Sequence, residues 1–209
     1  DIIDIGGEST RPASIYPDAQ PVTDVDEISR VLPVIDGLVS RLNIPISIDT
    51  RKASVARAAV RTGAALVNDV SMIEDPQMIS VISDTDVPIV ISHIRKKGHQ
   101  GEVVNEVIDD LRGAVSDLRK ARVIKSKIIV DPGIGFAKNA DESIALLRNI
   151  HRLRTELELP VMIGTSRKSF IGSVTDESVK DRRFGTAATV AWSVTCEVDI
   201  VRVHDVSEM

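Results

Sequence analysis

Seven short runs rich in Val and Ile alternate with longer segments of helical period, and this alternation limits the folds open to the chain. The runs occupy residues 1–7, 45–50, 65–71, 87–93, 127–136, 160–166 and 199–206. Most lack polar alternation, which is how strands covered on both faces read. Helices are predicted over 24–42, 52–62, 75–84, 103–124, 139–158 and 183–197. In 24–42 the apolar stripe is Val25, Ile28, Leu32, Ile35, Leu38 and Leu42, with Thr23 as N-cap, and Pro33 predicts a kink or break. In 103–124 the stripe includes Val107, Leu111, Val115 and Leu118. In 139–158 it is Ile144, Leu147, Ile150, Leu153 and Leu157, capped by Asn139, with Asp141 and Glu142 at the positive end of the dipole.

Strands alternating with helices make either a doubly wound sheet or a (β/α)8 barrel. The polar residues choose between them. Nearly every run carries its polar groups at its C-terminal end: Asp49, Asn68 with Asp69, His93, Asp131, Thr165 with Ser166, and Arg202 with His204. Barrel enzymes draw their sites from many strand ends on that face, whereas a doubly wound sheet uses one switch point. No GxGxxG follows a strand that could open a dinucleotide fold. The expected class is therefore α/β, a (β/α)8 TIM barrel. Seven strands are one short, so the chain reads as a fragment whose missing strand and closing helix lie outside it. Asp, Asn, Ser and Thr after a strand also cap the next helix, but capping does not explain Lys168, Arg202 or His204.

The 209 residues are 43% hydrophobic and 27% charged, a globular composition. No apolar run approaches the roughly 18 residues of a membrane span, so no membrane partner is expected. A net charge of −5 without a basic stripe argues against nucleic acid, and 2% aromatics argue against base-stacking platforms. The single cysteine, Cys196, excludes an internal disulfide and fits a reducing compartment; it reads as buried filler.

Two acids, Asp49 and Asp131, stand at strand ends with an amide, Asn68. Carboxylates in a cleft act as general acids, metal ligands or acceptors for an N–H-rich ring. The four histidines, His93, His99, His151 and His204, show no ligand spacing for a metal. His99 reads as part of a glycine-flanked loop, His151 as part of a surface helix, and His93 is ambiguous. Arg202 and His204, two residues apart on a strand, make a donor pair for an oxyanion, and Lys168 can add a point charge. No Ser-His-Asp order or GxSxG elbow supports nucleophilic catalysis. The stretch GGESTRPAS, residues 6–14, places Thr and Arg beside glycines and reads either as an ordinary surface loop or as one that holds an anionic ligand.

These residues carry a family likeness. DIIDIGGESTRP (1–12), SIDT (47–50), NDVS (68–71), DPGIGFAKN (131–139), GTSRKSFIG (164–172) and RVHDV (202–206) occur in the order of the dihydropteroate synthase family, and the chain resembles that family over essentially its whole length. The resemblance implies one pterin-binding barrel domain over residues 1–209, incomplete at both ends. It implies joining of 6-hydroxymethyl-7,8-dihydropterin diphosphate to 4-aminobenzoate, giving 7,8-dihydropteroate and diphosphate, with sulfonamides competing for the aminobenzoate place. By motif match, Asp49, Asn68, Asp131 and Lys168 would hold the pterin. Thr10, Arg202 and His204 would hold the diphosphate. Arg11, Pro12, Phe136, Lys168 and Ser169 would frame the aminobenzoate.

The same resemblance implies Mg2+ as cofactor, with no metal ligand in this stretch because the family's asparagine belongs to the missing first strand. It implies a cytoplasmic or mitochondrial place in the cell. It leaves room for a homodimer, through the apolar stretch 187–194, and for fusion to other folate-pathway domains, as in fungal multifunctional folate-synthesis proteins. One departure stands out: Ser92-His93-Ile94, followed by RKKGHQ, replaces the family's Met-His-Met or similar. Two other readings compete. A methyltetrahydrofolate-dependent methyltransferase would share the acids but would not need SRKS or RVH. A non-catalytic relative would be expected to lose its charged site residues, and they all stand here.

Overall fold

The computed structural model describes residues 1–9, 20–95, 98–99 and 101–209. Each of the seven β-branched runs contains a strand: β1 (Ile3–Gly6), β2 (Ile46–Asp49), β3 (Leu66–Asp69), β4 (Ile89–Ser92), β5 (Ile128–Asp131), β6 (Met162–Ile163) and β7 (Ile200–Val201). The helices are α1 (Asp24–Val39), α2 (Ala53–Thr62), α3 (Gln77–Thr85), α4 (Val103–Lys120), α5 (Ala140–Arg148), α6 (Ile150–Leu157), α7 (Ser169–Thr175) and α8 (Arg183–Thr195). Backbone contacts group the chain into two compact units, Asp1–Ile91 with Ser116–Ile128 and Ser92–Val115 with Ile129–Met209; the division passes through β4, α4 and β5.

In the first unit, β1 to β4 pair in parallel in chain order. The register sets Gly6 beside Asp49 and Asp49 beside Asn68, so these strands end level with one another. Ile46, Ile48, Val67, Ile89 and Ile91 are buried, as are Val31 and Ile35 of α1, Val55, Ala56 and Ala59 of α2, and Met78, Val81 and Ile82 of α3. Each large aliphatic side chain removed from water in this way contributes roughly 1.5–3 kcal/mol.

Helix α1 bears on two expectations. It runs through Pro33 without a break. Proline frees the carbonyl of Ser29, and Ser29 and Pro33 both lie on the exposed face, where water can serve that carbonyl. Its fully buried residues are Glu27, Val31 and Ile35; of the predicted stripe Ile35 is buried, Ile28, Leu32 and Leu38 are half-buried, and Val25 is 75% exposed. The face is turned because Glu27 is drawn inward by Lys52, whose Nζ donates to Glu27 Oε2 at 2.6 Å. Thr23 caps the helix as expected, accepting from Asp26 N at 3.2 Å. Gly7 is fixed by packing against this helix, since a Cβ there would lie 2.9 Å from both Glu27 Cγ and Val31 Cγ1.

In the second unit, His93 N donates to Asp131 O at 2.8 Å, Val130 bridges Val161 in parallel, and β6 pairs with β7 in parallel. The helix expected over 139–158 is two helices. Asn139 and Glu142 form a reciprocal cap at the start of α5, and the break falls at Asn149, whose side-chain amide donates to Ala145 O at 2.8 Å. That bond competes with the helical ladder. The stripe survives the break, with Leu147, Ile150, Leu153 and Leu157 buried. Helix α7 has no counterpart in the sequence reading, being seven residues long with only Phe170 and Ile171 buried. Strand β7 stops at Val201, and Val206–Glu208 form a 3-10 turn.

Candidate active site

The first unit contributes strand ends. Asp49 and Asn68 are brought side by side by the β2–β3 register. Asn68 is buried, and its Nδ2 donates to Asp4 Oδ2 at 3.0 Å. Among the described residues, its Oδ1 is buried without a hydrogen-bond partner. An unserved acceptor in a buried place costs free energy unless a donor arrives, so this atom suits a ligand N–H. Asp4 escaped the sequence reading; an acid inside the apolar run DIIDI was the available signal.

Asp69 has a different role from its neighbour. It is buried and accepts from Ser71 N at 2.7 Å, Ser71 Oγ at 2.5 Å and Ile73 N at 3.0 Å. Burial raises its pKa above the usual carboxylate value, against the pull of those bonds. It holds a turn in which Met72 and Ile73 both take positive φ.

Glu8, in the GGESTRP motif, is the centre of an ion cluster. It accepts from Arg51 Nη2 at 2.9 Å and Lys52 Nζ at 2.8 Å, and Lys52 also donates to Val22 O at 2.6 Å. Burial works to raise the Glu8 pKa, but the bonds from Lys52 and Arg51 prevail and hold it low. Thr10, Arg11 and Pro12, expected at the diphosphate and aminobenzoate, lie outside the described residues.

The second unit contributes turns. Asp131 is buried at the end of β5, with Oδ1 accepting from Gly133 N at 2.8 Å and Oδ2 from Ser92 Oγ at 3.0 Å. The departure at Ser92-His93 thus supplies a hydroxyl that orients Asp131. Gly133 cannot carry a side chain: its φ is +65°, and a Cβ would lie 1.9 Å from the His93 carbonyl oxygen.

Lys168, the residue before α7, donates to Ile134 O, and its Nζ stands 4.2 Å over the Phe136 ring. Burial lowers its pKa to about 8, with Asp131 opposing and Arg202 reinforcing the fall. Ser169 follows at the first position of α7 and is exposed. Arg202 N donates to Ile163 O at 2.9 Å. The His204 ring is fixed through Nδ1 on Ser166 Oγ at 2.8 Å, and His204 N donates to the same oxygen at 3.2 Å. Arg202 and His204 lie beyond β7, so strand alternation does not place them; the turn after the strand does.

Sequence reasoning missed the residue that ties this turn to SRK. Arg167 pairs with both carboxylate oxygens of Asp205, with Nε 2.9 Å from Oδ2. The Arg167 N–H donates to Thr186 Oγ1 at 3.1 Å, and Arg182 Nη1 donates to the Arg167 carbonyl at 3.1 Å. The Arg167 hydrogen bond holds Asp205 below the usual carboxylate value. The pair locks the residues flanking Lys168 and His204 to each other. Its signal was RVHD and SRKS together, an acid and a base outside the assigned roles.

His99, read as an ordinary loop residue, instead stacks on His93 with ring centroids 5.6 Å apart and reaches Glu106 through Nδ1 at 2.8 Å. Cys196 is half-buried and free. Among the described residues, no three His, Cys, Asp or Glu side chains gather to hold a metal ion, and no helix is long and apolar enough to cross a membrane.

The fold and these strand-end groups define a pterin-binding class of α/β protein: the pterin binding enzyme family matches residues 1–204, and the chain belongs to that family. Within it the chain aligns with the dihydropteroate synthases. It is 43% identical over 209 residues to the dihydropteroate synthase of Bacillus subtilis, covering 100% of this chain and 71% of that protein. It is 43% identical over 215 residues to a probable bifunctional folylpolyglutamate synthase/dihydropteroate synthase of Halobacterium salinarum, covering 100% of this chain and 25% of that protein. It is 38% identical over 222 residues to the folic acid synthesis protein of Pneumocystis carinii, covering 100% of this chain and 29% of that protein.

Solved structures agree. The dihydropteroate synthase of Clostridium difficile, determined in the presence of pteroic acid, matches with a TM-score of 0.93 and 41% identity over 100% of this chain and 78% of that one. The Xanthomonas albilineans enzyme with 4-aminobenzoic acid matches with a TM-score of 0.93 and 38% identity over 100% of this chain and 75% of that one. The chain shares the TIM-barrel fold of these synthases over the 75–78% of their length that it covers.

Proposed function

We propose that this chain carries out the dihydropteroate synthase reaction of folate biosynthesis. The amine of 4-aminobenzoate attacks the methylene carbon of 6-hydroxymethyl-7,8-dihydropterin diphosphate. A C–N bond forms, the C–O bond to diphosphate breaks, the amine loses a proton, and 7,8-dihydropteroate and diphosphate leave. What supports this reading most is the placement of Lys168, whose ammonium meets the Ile134 carbonyl and the Phe136 ring and feels Asp131 and Arg202.

The residue roles are proposals. Asp49, Asn68 and Asp131 offer acceptors to the N–H-rich edge of the pterin, with the unserved Asn68 Oδ1 ready for one such bond. Lys168 lies between the two substrates, so its charge faces the reacting bond. Arg202 and His204 stabilise the charge that grows on the leaving diphosphate. Thr10 is proposed to join them, and Arg11 and Pro12 to frame the aminobenzoate with Phe136 and Ser169. The nucleophile is a neutral amine, so no strong general base is needed. Mg2+ is proposed as a companion of the diphosphate oxygens. Among the described residues no three His, Cys, Asp or Glu side chains gather to hold it. Pairing of two copies is proposed through α8, supported by Phe184 and Val194, which are 83% and 62% exposed.

The test is chromatographic detection of dihydropteroate from the two substrates, with and without a sulfonamide. Product that falls with sulfonamide and is restored by excess aminobenzoate supports the reading. A folded protein that binds pterin and forms no product overturns it.

A further inference from the structure

One buried cation is left without a task by the reaction. Lys138 is 9% exposed, beside the turn that carries Gly133 and Phe136. Its Nζ lies 2.9 Å from His93 Nδ1, 3.3 Å from His93 O, 3.1 Å from Gly133 O and 3.2 Å from Phe136 O. An ammonium has three protons and only donates, so it shares them among four acceptors. The His93 ring must then be bare at Nδ1 and carry its proton at Nε2, which points at Asp110 Oδ2 from 3.0 Å. Arg95 fixes Asp110 in turn, through Nη2 at 2.7 Å and Nε at 3.0 Å. The chain of contacts runs from Arg95 through Asp110 and His93 to Lys138 and ends on the backbone of the turn.

The same turn meets Lys168 on other atoms. Lys138 takes the carbonyls of Gly133 and Phe136, while Lys168 takes the carbonyl of Ile134 and covers the Phe136 ring. The segment is thus held by two lysines, one for each set of carbonyls. We propose that Lys138 is a positioning residue of the synthase reaction: with His93 as its acceptor, it holds the Gly133–Phe136 turn in the form that presents Phe136 and Lys168 to the aminobenzoate.

The electrostatic surroundings agree with a role that needs the charge to stay. Burial lowers the Lys138 pKa to about 8, Asp131, Glu142 and Asp110 favour its charged form, and Lys168 disfavours it. Burial also lowers His93 to about 4, with the Lys138 charge adding to the fall, so the ring remains a neutral acceptor at neutral pH. A lysine kept in such a place for stability alone would be an expensive choice, since an apolar side chain of its length avoids the desolvation.

This inference rests on the proposed synthase reaction and on the aminobenzoate role of Phe136. The experiment compares Lys138→Met with wild type in diphosphate release, each substrate varied in turn, with the folded fraction measured by circular dichroism. The expected result is a KM for aminobenzoate raised about tenfold, as for a loosened positioning group, with the KM for the pterin diphosphate changed less than about twofold. Unchanged KM values, or a loss of kcat that only follows the folded fraction, overturn the proposal. If Lys138→Met does not fold, Lys138→Gln, which keeps two donors, is judged by the same split between the two KM values. A wild type that releases no diphosphate overturns the synthase reading and this proposal with it; an active wild type beside an unaltered variant overturns this proposal alone.

Discussion

At the ends of β2 and β3 the candidate groups stand on paired strand residues, Asp49 beside Asn68. In the second unit they stand on turns: Asp131 is aimed by Gly133 and Ser92, Lys168 by the Ile134 carbonyl, and His204 by Ser166. Sheet register sets the first pair side by side, and Asn68 also donates to Asp4 Oδ2. The second set needs a glycine at positive φ, a buried lysine and an Arg167–Asp205 pair to hold its shape. The difference teaches that groups on neighbouring strand ends are brought together by the ladder, whereas groups on turns need further contacts to hold them, the more so where cations stand close to one another. Changes in the first set, and in Asp131, should therefore move pterin affinity, and changes in Lys168, Arg202 and His204 should move turnover.

The largest effect expected falls outside both sets and checks that the first unit's own charges are structural. Lys52→Met removes the cation shared by Glu8 and Glu27; Glu8 keeps Arg51, while the Glu27 side chain, 1% exposed, loses its ion pair. Removing one partner of buried ions costs about 3–5 kcal/mol, readable as a lower urea midpoint. A loss under about 1 kcal/mol would mean that the cluster is surface-like.

Next comes Lys168→Ala. Turnover should fall about 10²–10³-fold, the usual scale for one electrostatic stabiliser, with the melting temperature nearly unchanged. Equal losses of activity and fold would assign Lys168 a structural role instead.

An acid titration follows. His93 has its pKa lowered in the folded chain from 6.5 to about 4, so the unfolded chain binds the proton more readily between those values. The stability from this group is complete above pH 6.5 and is lost as pH falls towards 4, by about 3 kcal/mol. Thermal melts of wild type should show this slope, and His93→Gln should flatten it. An equal slope in the variant would place the acid sensitivity elsewhere.

Asn68→Leu should have the smallest effect. Removing one ligand acceptor should weaken pterin binding by about 1–2 kcal/mol, measured by calorimetry, while the KM for aminobenzoate stays in place. An unchanged pterin affinity would break the proposed division between the two sets.

The strands were legible because the runs are β-branched and nearly every one carries polar groups at its C-terminal end, and the paired ends of β2 and β3 followed directly. The turned face of α1 was not, because Glu27 counts as polar and its burial depends on a lysine 25 positions away. The break at Asn149 was hidden because the apolar stripe continues across it. Asp49, Asn68, Asp131 and Lys168 could be picked out by position and motif. Arg167 and Lys138 could not, since their partners, Asp205 and His93, are 38 and 45 residues away in sequence. Asp4 was passed over because one acid in an apolar run carries no partner in the sequence, and Asn68 reaches it only through the fold.

The measurement that tests the central claim most directly is diphosphate release from the pterin diphosphate, with and without 4-aminobenzoate, in wild type and Lys168→Ala. The synthase account predicts release that depends on aminobenzoate and is lost in the variant. Release that ignores aminobenzoate, or no release from a folded wild type that binds the pterin, would contradict it.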